Sequence, residues 1–271
     1  MSKFKIDKKT SNKIGTILLV ASLIPFGISA KGFLDLHKRS SDAKKQTSAI
    51  KQTINEDYYS EKQDEPSQTT KEHTNKYNFE ELRKINPDII GVLEGDCFQG
   101  GYYPVVSSEN YDDLNNKLSQ NLEGEYSSSG LIIADPNNDE NLNGIYRIWG
   151  HHLRGEENSG LMFSSLVNYD TQEYYENHKK LKYYTENGEY ILEVYACTNN
   201  NPLEENESIH SYIEKNKNNS LINTNITPKD TDRQIVLITC PRGGSQNNPD
   251  KRISVITKLT PVWEKTKEKT R

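Results

Sequence analysis

Residues Gln234 to Lys258 read QIVLITC, then PRGGSQNNPD, then KRISVITK. The first segment is a nearly unbroken apolar run, the pattern of a strand buried on both faces. It stops at Cys240, and a loop rich in Pro, Gly and Asn turns the chain back. A second strand opens with Lys251 and Arg252. A thiol at the end of a rigid strand, with a guanidinium entering on the neighbouring strand, offers a nucleophile and an anion stabiliser. Working outward, the rest of the chain has to supply a base, a wall for a substrate and a cellular setting.

The chain has 271 residues, enough for one sizeable domain with appendages, and a formal net charge of −5. No basic stripe interleaves with aromatics, so nucleic acid is not an expected partner. The three cysteines are too few for a disulfide scaffold, and no C-x-x-C pair suggests zinc. Taken singly, each cysteine reads as an inert buried thiol. Cys97 and Cys197 have no catalytic context.

Residues 1–13 carry five lysines and one aspartate, and Ile14 to Ala30 is a 17-residue run without a charge. That is the lower limit for a membrane-spanning helix. Two readings stand: a cleaved signal peptide, or an uncleaved anchor with its Lys-rich end held in the cytoplasm. The span length favours the anchor, and both export the remainder. Residues 31–77 are polar and mixed in charge, a stalk that is partly helical at first and disordered around EKQDEPSQTTKEH. The folded domain is expected over 78–263, and 264–271 is a charged tail.

That domain opens with NFEELRKI, where Asn78 is a good N-cap and Asn86-Pro87 a stop. Short strands follow: IIGVLEG, GYYPVV, GLIIAD, GIYRIWG, EYILEVYAC, RQIVLITC and RISVITKL. Helical candidates between them are NYDDLNNKLSQN, MFSSLVNY with YDTQEYYENH, and ESIHSYIEKNK. Many short strands punctuated by Gly, Asn and Pro indicate a mainly β barrel or sandwich, not alternating βαβ units. No Gly-rich phosphate loop is present.

A cysteine nucleophile needs a base or cationic partner to become a thiolate near neutral pH. Of the six histidines, His151 and His152 end the strand GIYRIWG, so one of them can meet Cys240 over one barrel rim. Adjacent histidines on a strand point to opposite faces and would not chelate one ion, and no H-E-x-x-H is present; a metal site is not expected. Arg252 and Arg242 each have a plain alternative as solvated or ion-paired surface residues. Arg252 has the better case, because five fixed donors suit a developing oxyanion.

Several ordered motifs now coincide. Leu237-Ile238-Thr239-Cys240 ends one strand, and Lys251-Arg252-Ile253-Ser254-Val255 begins the next. Trp149-Gly150-His151 precedes Met162-Phe163, Leu166 and Tyr169, with Tyr103-Pro104-Val105-Val106 and Asn110-Tyr111-Asp112-Asp113-Leu114 upstream. On these the chain, from about 78 to 262, resembles the sortases, above all class B. The resemblance implies a sortase-type closed β-barrel of about eight strands, with an N-terminal helix and a helix in the loop before the Cys240 strand. It implies an exported, membrane-tethered cysteine transpeptidase that cleaves a C-terminal sorting motif of secreted proteins after Thr. The acyl group then passes through a thioester to an amine of a cell-wall precursor or a pilin, without a cofactor. Cys240 is the implied nucleophile, His151 the acid and base, and Arg252 the oxyanion and peptide contact. Thr239, Asn110, Leu114 and Ile238 are the implied substrate contacts. Three departures stand out. Ile238 replaces a frequent Ser, His152 replaces a frequent Asn, and the Cys-to-Arg loop is two residues longer than usual. An exported cysteine hydrolase without amine transfer and a membrane-tethered binding module are the competing readings.

Overall fold

Why the strands close into a barrel follows from their burial. In β7 (Gln234–Thr239) every residue is buried, so both faces of that strand are covered. The computed structural model describes residues 34, 37–56, 58, 74–200, 208–242 and 251–265. The chain divides into two compact units, Met1–Ser41 and Asp42–Arg271, and the second holds the barrel.

Eight strands form it: β1 (Ile89–Glu94), β2 (Tyr102–Val106), β3 (Ile132–Ala134), β4 (Ile145–Trp149), β5 (Lys180–Thr185), β6 (Gly188–Thr198), β7 and β8 (Ile253–Glu264). They close in the order β1-β2-β3-β4-β7-β8-β6-β5. The expected barrel is therefore present. The pairs β2/β3 and β4/β7 are parallel and the rest antiparallel. Parallel neighbours need long crossovers, and the chain supplies them between β2 and β3 and between β4 and β7.

Alternation along each strand sorts side chains inside and out. Leu93, Tyr103, Val105, Ile148, Leu181, Tyr183, Leu192, Val194, Ile235, Leu237 and Val255 belong to the main buried cluster. Two outer faces are covered by helices. A helix over 37–51 (α1), α2 (Phe79–Ile85) and α3 (Tyr111–Lys117) contribute Ile50, Phe79, Leu82 and Leu114 to a second cluster with Ile89, Val92, Val106 and Ile133. The short α4 (Gln172–Asn177) follows a 3-10 helix, Ser164–Asp170. On the far side, α5 (Ile209–Asn218) places Tyr212 in a cluster with Tyr195, Val236, Ile238 and Ile256. The helix expected in ESIHSYIEKNK, in the loop before the Cys240 strand, is thus present, with Ser208 as its N-cap. Asn78 caps α2 as expected, its Oδ1 accepting from the N–H groups of Glu80 and Glu81 at 3.0 and 3.2 Å.

Two features were not read from the sequence. One is β5, whose lysines face outward and pair with β6: Lys180 lies 3.2 Å from Glu193 and Lys182 lies 3.7 Å from Glu189. The other is packing within 31–77, which the sequence assigns to a stalk. Ala43, Ile50, Tyr58 and Tyr77 are buried, Asn78 N–H donates to the Thr53 carbonyl at 2.8 Å, and the Tyr58 hydroxyl bonds Glu189 at 3.0 Å. Polar residues do much of this docking, so hydropathy does not reveal it. The expected disorder around EKQDEPSQTTKEH and the 14–30 span lie outside the described residues. Among the described residues no helix is long and apolar enough to cross a membrane.

Candidate active site

Because β4 and β7 run parallel, their C-terminal ends lie at the same end of the barrel, and antiparallel β8 begins there. The registers are Trp149 beside Ile238 and Thr239 beside Ile253. The Gly150 N–H donates to the Ile238 carbonyl at 3.1 Å. Extended two positions past the first pair and one past the second, these registers align the backbone positions of His151, Cys240 and Arg252 in one row, with Cys240 in the middle. Neighbouring strands stand about 4.8 Å apart, so in this alignment the backbone of Cys240 runs between those of His151 and Arg252.

Gly150 is needed for space. A Cβ there would meet Ile132 Cδ1 at 2.5 Å and Phe163 Cδ2 at 2.7 Å. The next residue, His151, is oriented by its Nε2–H, which donates to the Leu118 carbonyl at 2.8 Å. A carbonyl only accepts, so that bond fixes the tautomer and the ring plane. Gly130 makes room for it. Its φ is +65°, and a Cβ would press into the Leu118 carbonyl and come within 2.9 Å of His151 Cδ2. The Gly130 carbonyl in turn accepts from Gln46 Nε2 of α1 at 2.9 Å, while Ser127 Oγ donates to Asp42 at 2.7 Å. A buttress therefore runs from α1 through the 127–130 turn to the imidazole. Sequence reasoning missed it; the only local signal was a glycine in the Ser-Ser-Ser-Gly turn.

Cys240 is partly exposed, whereas Cys97 and Cys197 are buried; all three are free thiols. Burial, reinforced by the nearby Asp96 charge, pushes the Cys97 thiol up to about 12. Burial also raises Cys197 far above the ordinary thiol value. Arg252 is half-buried and its Nη1 donates to the Lys251 carbonyl at 2.8 Å.

The four expected substrate contacts fare differently. Asn110 is exposed at the start of α3, its Oδ1 accepting from the Asp113 N–H at 2.9 Å. Leu114 is buried in the cluster under α1 to α3. Ile238 is fully buried on the outer face beneath α5. The Thr239 hydroxyl donates to the Gly150 carbonyl at 2.8 Å. A hydroxyl has one proton to donate, so this side chain ties β7 to β4 and does not donate elsewhere while that bond holds. Of the long loop between Cys240 and Arg252, residues 243–250 lie outside the described residues.

The second histidine faces another way. His152 Nε2 lies 2.8 Å from Glu157 Oε1 and Nδ1 lies 3.3 Å from the Pro241 carbonyl oxygen. Burial pushes the Glu157 carboxyl up, but hydrogen bonds from its own N–H, from His152 and from the Gly155 N–H hold it below the ordinary carboxylate value. Among the described residues, no group of three His, Cys, Asp or Glu side chains is arranged to hold a metal ion.

No protein-family model matches the chain. It is 31% identical over 195 residues to Sortase B of Staphylococcus aureus, a match covering 68% of this chain and 75% of that protein. The chain belongs to the class B sortases. Its class B fold is shared with the Staphylococcus aureus sortase B–substrate complex at a TM-score of 0.59 and 28% identity, over 68% of this chain and 85% of that one. Sortase B from Bacillus anthracis, in complex with AAEK1, gives 0.64 at 25% identity, over 84% and 99%. As a class B sortase the protein is a cysteine transpeptidase, which sets aside the reading as a binding module.

Proposed function

We propose that this sortase acts on the outer face of a Gram-positive membrane, joining secreted proteins that carry a C-terminal sorting motif to an amine of the cell wall or of a pilin. What supports the reading is that the β4/β7 and β7/β8 registers, continued past Trp149, Thr239 and Ile253, align His151, Cys240 and Arg252.

In this reading Cys240 Sγ, as thiolate, attacks the carbonyl carbon after the Thr of the motif. Arg252 offers fixed donors to the oxygen as it becomes negative. The tetrahedral intermediate collapses by breaking the C–N bond, and His151 gives the departing amine its proton. What remains is a thioester on Cys240. An incoming amine gives up a proton to His151, attacks the thioester and releases the thiolate. Splitting one amide exchange into two steps lowers each barrier, and a peptide held beside Cys240 gains rate by orientation. The solved relatives include sortase B complexed with triglycine and with a substrate, ligands of the kinds an acceptor and a donor would be. Residues 14–30 would tether the enzyme and 1–13 would remain cytoplasmic.

Mass spectrometry of the chain without residues 1–30, mixed with a panel of sorting peptides, tests the reading. The expected result is an adduct on Cys240, absent in Cys240→Ala, that an added amine converts into a ligated peptide. Release of acid alone at saturating amine would favour a hydrolase. Turnover surviving in Cys240→Ala would sink the assignment.

A further inference from the structure

Two side chains that the catalytic row leaves unused grip the backbone just after the nucleophile. On one side, the His152 ring lies between two acceptors, the Pro241 carbonyl at 3.3 Å from Nδ1 and Glu157 Oε1 at 2.8 Å from Nε2, and as the imidazolium it donates to both. Its side chain is only 3% exposed, so this bridge is made with little competition from water. Glu157 is itself fixed, because Oε1 accepts from the Gly155 N–H at 3.2 Å and its carbonyl accepts from Asn168 Nδ2 at 2.9 Å. On the other side, Arg242 spreads its guanidinium over the 3-10 helix. Nε donates to Asp170 at 3.2 Å, and Nη2 donates to Asn168 Oδ1 at 2.6 Å and to the Val167 carbonyl at 3.4 Å. Asn168 belongs to both grips: its oxygen serves Arg242 and its nitrogen serves Glu157.

We propose that His152, Glu157 and Arg242 are positioning residues: through Pro241 and Arg242 they hold the backbone beyond Cys240 and so set where the thiol stands between His151 and Arg252. This rests on the row being the catalytic centre. The reason for such a device is local. β7 stops pairing at Thr239, and a Cys-Pro bond follows; proline has no N–H to continue the ladder. The backbone beyond the thiol therefore gets no hydrogen bond from Pro241 as a donor, and its carbonyl is held by His152 in place of a strand neighbour. Displacement of a reacting atom by ~1 Å costs about a hundredfold in rate, so a modest loosening is measurable. The His152 and Glu157 side chains act through one bridge, which predicts non-additivity.

The test measures kcat and KM for transfer of a sorting peptide to an amine, with the rate of Cys240 thioester formation, in the detergent-solubilised full chain. His152→Ala is expected to lower kcat and thioester formation about tenfold, with KM changed less than twofold. Glu157→Gln should move both in the same direction, and the His152→Ala/Glu157→Gln pair should be no worse than His152→Ala within twofold. His152→Gln, which keeps a donor for the Pro241 carbonyl, should recover to within threefold of the parent. Arg242→Ala should lower kcat similarly, and Arg242→Lys should restore it only in part, because the fork is lost. Each variant is checked for an unchanged unfolding midpoint. Folded His152→Ala, Glu157→Gln and Arg242→Ala proteins with kcat within twofold of the parent would overturn the proposal, as would multiplicative losses in the pair. Cys240→Ala is run alongside: if it still turns over, the catalytic assignment has failed, not the positioning.

Discussion

A thiol attacks as its thiolate, so what separates Cys240 from the other two cysteines is access to water. Cys97 and Cys197 sit in the main core, where burial favours the protonated thiol: Cys97 is pushed up to about 12 and Cys197 is raised as well. At pH 8, below either value, both stay as thiols, and the folded protein shields them from reagent. Native protein treated with iodoacetamide at that pH should therefore gain one carbamidomethyl group, on Cys240, and unfolded protein three. Rapid labelling of Cys97 or Cys197 in the native state would contradict this burial. His151 makes a second residue-scale case. Gly130→Ala puts a side chain at φ +65°, a cost of about 1–2 kcal/mol, and displaces the Leu118 carbonyl that orients the ring. The expected outcome is a fall in kcat of tenfold or more with a drop in unfolding midpoint, read by peptide transfer and calorimetry. A midpoint loss with unchanged kcat would show that the Leu118 bond does not matter for the reaction.

At the scale of elements, the strand ends proposed to carry the chemistry were legible: an apolar run halted at Cys240, a glycine before His151, and Lys-Arg just before β8. The elements that were not legible are those whose burial is polar. In α1, Asp42 and Gln46 are buried with hydrogen bonds to the 127–130 turn, and the apolar residues of its inner side are Ala43, Ala49 and Ile50. In β5, Lys180 and Lys182 mask the inward Leu181 and Tyr183. Side-chain accessibility was also beyond the sequence, since Leu114 and Ile238 match motif positions and yet lie under helices. The packing of α1 has a testable consequence. Ile50 is fully buried, so Ile50→Ala should cost about 3 kcal/mol and lower the unfolding midpoint by roughly 6–12 °C. A chain starting at Asn78 should be still less stable and less active than one starting at residue 31, because the Gln46 bond to Gly130 is gone. Equal midpoints and equal kcat for the two truncations would mean that α1 is a passenger.

For the whole molecule, the topology separates two tasks. Parallel pairing of β4 with β7 puts both strand ends at one rim, and every residue assigned to the chemistry or its support lies between Asp42 and Arg252. The charge-free run Ile14–Ala30 lies outside that span and would contribute location alone: as a helix its 17 residues would extend about 26 Å, against a hydrocarbon core of ~30 Å. The two tasks should then come apart in experiment. The chain without residues 1–30 should transfer a sorting peptide to a soluble amine with kcat/KM within about threefold of the detergent-solubilised full chain, since solution chemistry needs only the barrel and its helices. In cells the full chain should stay in the membrane pellet after a carbonate wash, with its N-terminal lysines intact by mass. A washed pellet free of the protein, with the secreted form beginning near Lys31, would replace the anchor by a cleaved signal and leave the catalytic argument untouched. A truncated chain that folds but transfers a hundredfold more slowly would instead show that the first thirty residues support the site itself.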